Sequence, residues 1–130
     1  MDEAFLLDTH TLIWWWLGDP SLSRGARSLL ETRQQRIYVS PVAGIEIALK
    51  VRAGKLPVLA EILEIYDQAV AADGFLHLPI DWRHAIDAGL LGGDHRDPFD
   101  RLIAAQALAE GMAVVTRDRE IASFGCKTIW

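Results

Sequence analysis

Short apolar runs alternate along this chain with longer stretches of helical character. Residues 4–7 are apolar and end at Asp8, the pattern of a buried strand. Residues 9–17 predict a helix stopped by Gly18-Asp19-Pro20. Residues 23–33 are rich in helix formers behind Ser23, a candidate cap, and residues 37–39 make a β-branched and aromatic strand. Ser40-Pro41 then sets an N-cap before proline at the first helical position, where its missing N–H costs nothing. Gly54 closes that helix just after Ala53. One helix is predicted over residues 58–72, followed by Gly74 and a strand over residues 75–78. Asp81 caps a helix that reaches Leu91, and Gly92-Gly93-Asp94 opens a loop. Asp97-Pro98 starts a helix that ends at Gly111. A strand over residues 113–116, a short helix over 118–123 and a last strand over 127–130 complete the pattern.

Strands separated by helices imply crossover connections, hence an α/β class with a central, mainly parallel sheet flanked by helices. The pattern leaves the strand order open. The chain has 130 residues, 51% of them apolar, with no repeats and no linker, so residues 1–130 are expected to form a single domain. Functional sites in open sheets of this kind lie beyond the carboxyl ends of the strands.

Charge narrows the function. Lys and Arg number 13 against 18 Asp and Glu, a formal net charge of −5. That sign excludes attachment to nucleic acid by bulk attraction; any phosphate contact needs a local basic patch or a bound metal. Cys126 is the only cysteine, which rules out an intrachain disulfide and a cysteine-based zinc site. Met1-Asp2-Glu3 lacks the positive start of a signal peptide. No apolar stretch approaches the roughly 18–20 residues that span a bilayer, so the expected setting is cytoplasmic, without membrane contact.

The acidic residues carry the chemistry. Asp8 and Asp118 each follow a predicted strand and so fall on the same sheet edge, although each can also cap the helix that follows. Glu46 lies between Ile45 and Ile47 inside a helix, where an exposed Glu46–Lys50 pair is its ordinary explanation. Asp97 suits the N-cap before Pro98. Asp100, in the first turn ahead of Leu102-Ile103-Ala104-Ala105, is placed to overhang the sheet edge. Clustered carboxylates raise one another's pKa and call for a cation. Oxygen donors without cysteine or a paired-histidine motif favour Mg²⁺ or Mn²⁺ over zinc. Such an ion suits phosphodiester hydrolysis by a metal-activated water, which needs no nucleophilic side chain. His10, His84 and His95 are secondary candidates, and His77 a weaker one.

Together these residues resemble a PIN domain. The opening Leu6-Leu7-Asp8-Thr9-His10 and the Glu46 segment Ile45-Glu46-Ile47-Ala48-Leu49-Lys50 carry part of the likeness. The stretch from His95 through Asp97-Pro98-Phe99-Asp100-Arg101 to Ala107 is its most specific part. With Val115-Thr116-Arg117-Asp118, Lys55-Leu56-Pro57 and the final tryptophan, it is similar to the VapC-like toxins of type II toxin–antitoxin pairs. The resemblance implies a three-layer α/β/α fold, Mg²⁺- or Mn²⁺-dependent RNA cleavage, a homodimer and a VapB-like antitoxin that blocks the site. It implies an acidic quartet of Asp8, Glu46, Asp100 and Asp118, with Asp97, Thr116 and Thr9 as accessories. The chain departs from the pattern at Ile45, where relatives often carry tryptophan, and at Arg117, where a small residue is frequent.

Arg96, Arg101 and Arg117 are candidates for RNA contact, within a rim that also includes Arg119, Lys50 and Arg52. Trp14, Trp15 and Trp16 span about 200° of a helix, so they cannot share one core and at least one is expected at the surface or an interface. Two rival readings stand beside the nuclease. Asp8-Thr9-His10-Thr11 resembles the Asp-x-Asp-x-Thr motif of haloacid-dehalogenase-like phosphatases, with His10 in place of the second aspartate. The other rival is a non-catalytic RNA- or protein-binding module whose acids are only helix caps.

Overall fold

Five strands form one wholly parallel sheet in the computed structural model, which describes residues 3–130. They are β1 (Ala4–Leu7), β2 (Arg36–Val39), β3 (Leu76–His77), β4 (Ala113–Val115) and β5 (Thr128–Ile129), in the order β3-β2-β1-β4-β5. Met1 and Asp2, part of the signal-peptide reading, lie outside the described residues. The central strand pairs Leu6 with Tyr38 on one side and with Val114 on the other. Burial on both faces explains the unbroken apolar run of β1.

Alternation along β1 divides the core. Phe5 and Leu7 point to one face, where they join Leu12 and Ile13 of α1 (Thr9–Leu17), Ala26 and Leu30 of α2 (Arg24–Thr32), and Ile47 of α3 (Pro41–Arg52). Leu6 points to the other face and meets Ile103, Ala104 and Ala107 of α7 (Pro98–Glu110) and Ile121 of α8 (Arg119–Ser123). The result is three layers, helix on sheet on helix. Cys126 is buried in the second cluster, its thiol directed at the Ala104 carbonyl 3.6 Å away.

The local signals act as the sequence implies. Ser23, Ser40, Asp81 and Asp97 each cap a helix through a side-chain oxygen, at α2, α3, α6 (Trp82–Leu90) and α7 respectively. Gly18 ends α1 at φ +63°, and the next amide, that of Asp19, bonds the Trp14 carbonyl at 2.9 Å. The continuous helix expected over residues 58–72 is absent. A 3-10 turn (Pro57–Leu59) leads into α4 (Ala60–Glu64), and α5 (Tyr66–Ala72) follows. Ile65 leaves the helical region between them at φ −120°, ψ 31°. Ile65 is β-branched and half exposed, so it supplies no packing that would hold the two pieces in line. Among the described residues no helix is long and apolar enough to cross a membrane.

Candidate functional site

Strand order decides where the site is. From β1 the chain moves outward to β2 and β3, then returns to the other side of β1 to lay down β4 and β5. The switch point is therefore the crevice beyond the carboxyl ends of β1 and β4, where a parallel sheet opens to ligands. Asp8 follows β1 at that crevice, and Asp118 stands three residues beyond β4.

Asp8 is 6% exposed, and both its oxygens are engaged. Oδ1 accepts the Thr11 N–H at 2.8 Å and so caps α1; Oδ2 accepts the Thr116 hydroxyl. Thr116, also buried, accepts the Asp118 N–H at 2.9 Å through the same hydroxyl oxygen. One threonine thus ties the two strand-end acids into a single unit. Asp118 caps α8 through the Glu120 N–H at 2.9 Å. Capping and membership of the cluster are compatible, because a carboxylate that accepts one amide retains further lone pairs.

Glu46 enters from α3. Its expected partner Lys50 makes no ion pair with it among the described residues; instead the Thr9 hydroxyl donates to Glu46 Oε1 at 2.5 Å. Burial pushes the Glu46 carboxyl above its ordinary range, the Thr9 bond opposes that, and the charge of Asp97 adds to the rise. Asp100 comes from the first turn of α7. His95 Nε2 lies 2.8 Å from Asp100 Oδ2, while His95 Nδ1 pairs with Glu120. Burial drives the Asp100 carboxyl up to about 6; the His95 bond works against this, and Asp97 and Asp118 reinforce it. Asp100 in turn holds the His95 imidazole above its usual value. Asp97 caps α7 by accepting the Phe99 N–H at 2.9 Å.

The fold therefore ties Asp8 to Asp118 through Thr116 and brings Glu46, Asp97, Asp100 and Asp118 near enough for their charges to act on one another, Glu46 on Asp97 and Asp100 on both Asp97 and Asp118. The tightest donor set among the described residues is His95, Asp97 and Asp100, whose candidate ligand atoms all lie within 4.8 Å of one another. Only one member of the sequence-derived quartet belongs to that set. The donors are carboxylate oxygens with a single imidazole, chemistry that fits a hard divalent cation such as Mg²⁺ or Mn²⁺.

Of the expected RNA-contacting arginines, Arg101 is placed otherwise. Its guanidinium donates to the carbonyls of Ala88 (2.8 Å), His95 (2.9 Å), Gly89 (3.4 Å) and Leu91, and lies over the Phe124 ring. Its donors are spent on the end of α6 and the loop before α7, because a half-buried guanidinium is cheapest where backbone acceptors surround it. Arg96 is exposed at the rim of a separate cavity that also contains His95. Arg117 is exposed and lies over the Trp14 ring, 4.5 Å from its centroid. Asp8, Asp118, His10, Trp14, Arg117 and Arg119 line a cavity of about 430 Å³.

A profile of the PIN domain matches residues 5–125. The chain belongs to the PIN domain family. No curated protein matches it significantly. Solved structures agree with the assignment. FitAcB from Neisseria gonorrhoeae contains a chain 25% identical with a TM-score of 0.69, covering 97% of this chain and 96% of that one. A chain of VapBC2 from Rickettsia felis, bound to a DNA fragment from its promoter, is 16% identical with a TM-score of 0.71, covering 97% of both chains. A toxin–antitoxin complex from Klebsiella pneumoniae contains a third, 18% identical with a TM-score of 0.67, covering 96% of this chain and 95% of that one.

Family membership sets aside the phosphatase motif at Asp8. Within this PIN domain, sequence reasoning missed Glu120 altogether and gave His95 no partner. The His95 bridge from Asp100 to Glu120 joins two helices, and no local pattern announces it. The tryptophan triplet resolves into three half-buried rings. Trp14 packs against Trp130, Trp15 against Phe75, and Trp16 against Tyr66 while donating Nε1–H to Asp73 at 2.8 Å.

Proposed function

We propose that this PIN domain is a divalent-metal-dependent endoribonuclease and the VapC-like toxin of a type II toxin–antitoxin pair. The observation that carries the reading is the placement of Asp8, Glu46, Asp100 and Asp118 about the switch point, with Asp97 beside them and the imidazoles of His10 and His95 close by. These four carboxylates would hold Mg²⁺ or Mn²⁺, with Asp97 as an accessory. A bound cation supplies an acidified water nucleophile and offsets charge on the phosphate.

The chain's own residues prepare that site. Thr116 fixes one oxygen of Asp8 and the backbone of Asp118; Thr9 orients Glu46; and His95 engages one oxygen of Asp100. Without a cation this cluster repels RNA phosphates, so substrate binding and metal binding are coupled. Partnership with a VapB-like antitoxin is supported by the likeness to chains of toxin–antitoxin complexes. A homodimer, a cytoplasmic setting and one domain over residues 1–130 complete the proposal.

The test is to incubate the antitoxin-free protein with total cellular RNA and Mn²⁺ or Mg²⁺ and to map new 5′ ends by sequencing. Discrete cuts are expected, and they should vanish with EDTA and with Asp8→Asn. Asparagine is a good helix cap, so that variant should remain folded. A folded protein that binds neither metal nor RNA would replace the nuclease with a non-catalytic module.

A further inference from the structure

Asp118 and Asp100 belong to different helices, and one side chain links those helices. Asp118 caps α8, Asp100 sits in the first turn of α7, and His95 lies on the loop that leads into α7. His95 Nε2 is 2.8 Å from Asp100 Oδ2, and Nδ1 pairs with Glu120 of α8. Phe124, four residues beyond Glu120, sets its ring 5.9 Å from the imidazole. Arg101 of α7 closes the arrangement: it donates to the His95 carbonyl at 2.9 Å and lies over the same Phe124 ring. The carbonyl, the ring and both nitrogens of His95 are therefore all engaged.

The nitrogen contacts decide what the imidazole can do. With a carboxylate at each nitrogen, both serve as donors and neither keeps a lone pair for a cation. A ring turned over would set carbon against Glu120. By distance His95 belongs to the tightest donor set; by free lone pairs it does not, and it acts on the site as a strut. Its effect falls on Asp100. A carboxylate that accepts an N–H on one oxygen is poorly placed to chelate a cation through both. Coordination through one oxygen suits Mg²⁺ and Mn²⁺, which take compact octahedral shells. Ca²⁺ takes about six to eight oxygens, often with a chelating carboxylate, in a looser cage.

We propose that Glu120 is a positioning residue for ion selectivity. Acting through His95, with Phe124 against the imidazole, it holds Asp100 as a one-oxygen ligand at a fixed place relative to α8 and so favours a small octahedral cation over Ca²⁺. Glu120 itself does not touch the cation. This inference rests on the metal-dependent reading and names a residue that tunes the same site.

The experiment titrates Mn²⁺ into the full chain at pH 7, reads free Mn²⁺ by electron paramagnetic resonance, and then displaces the bound ion with Ca²⁺. Glu120→Ala should weaken Mn²⁺ binding about tenfold, the lower end for loss of an outer-shell partner, while Ca²⁺ binding holds. The preference for Mn²⁺ over Ca²⁺ then falls by about the same factor. Glu120→Gln, whose amide oxygen still accepts from Nδ1, should keep most of the preference. The Glu120 side chain is 58% exposed, so both variants should stay folded. A general loosening of the fold would weaken both ions alike. That result, or an unchanged preference in Glu120→Ala beside normal Mn²⁺ binding, would overturn the proposal and leave the metal-dependent reading standing. A wild type that binds neither ion would remove that reading, and the proposal with it.

Discussion

Thr116 is a small residue on which much of the site depends. Its hydroxyl donates to Asp8 and accepts from the Asp118 amide, so two acids on different strands share one anchor. Thr116→Val keeps the shape and removes both bonds. Mn²⁺ affinity, or cleavage rate if measured instead, should fall about 10- to 100-fold, the usual cost of losing an outer-shell partner. Thr116→Ser should recover most of it, a rescue that a merely structural role would not require. Asp100 makes a prediction about pH. Its carboxyl rises from 3.8 to about 6 in the fold, chiefly through burial. Between these values the folded chain binds more protons than the unfolded one, so its stability falls as pH rises through that window and stays lowered above it. Metal-free Asp100→Asn should therefore melt higher than wild type at pH 7, by an amount on the order of 2 kcal/mol, with the gap closing towards pH 4. Saturating Mn²⁺ should reverse the order, because only the wild type gains binding energy from the cation.

At the level of elements, local chemistry was readable and tertiary geometry was not. Strand–aspartate–helix junctions announce Asp8 and Asp118 because one residue both caps the helix and ends the strand. Glu46 was ambiguous because its partner Thr9 lies 37 residues away, whereas Lys50 lies one turn along the same helix. The helix expected over residues 58–72 breaks at Ile65, whose side chain finds no core to hold it. The carbonyl bonds of Arg101 were not legible because composition alone cannot tell a solvated guanidinium from one that gathers carbonyls. It ties the end of α6 and the following loop to α7. Arg101→Ala should destabilise the fold by about 2 kcal/mol, read as a lowered denaturation midpoint. Arg101→Lys should recover little, since a single ammonium cannot serve the same fan of acceptors. If the loss of stability is absent and RNA affinity falls instead, the original assignment to the RNA rim was right.

At the scale of the molecule, five parallel strands and their order account for the position of the chemistry. Reversal of direction at β1 opens the crevice, and separate segments of chain deliver acids into it. The net charge of −5 is in keeping with carboxylates gathered at that crevice, while Arg117 and Arg119 form a local exception beside Asp8 and Asp118. The strand order and the lining of the cavity beside Asp8 were hidden because both depend on which distant segments meet. Arg117 and Trp14, which meet over an indole face, are 103 positions apart. The claim at the centre of this account is that the acids form one cation site. Titrating Mn²⁺ into the chain at pH 7 and following free Mn²⁺ by electron paramagnetic resonance tests it most directly. The account predicts saturable binding that is strongly weakened in both Asp8→Asn and Asp100→Asn, which come from different elements of the fold. Binding that survives Asp8→Asn and is lost only with Asp97, Asp100 or His95 would contradict it, and would confine the cation to the α7 triad.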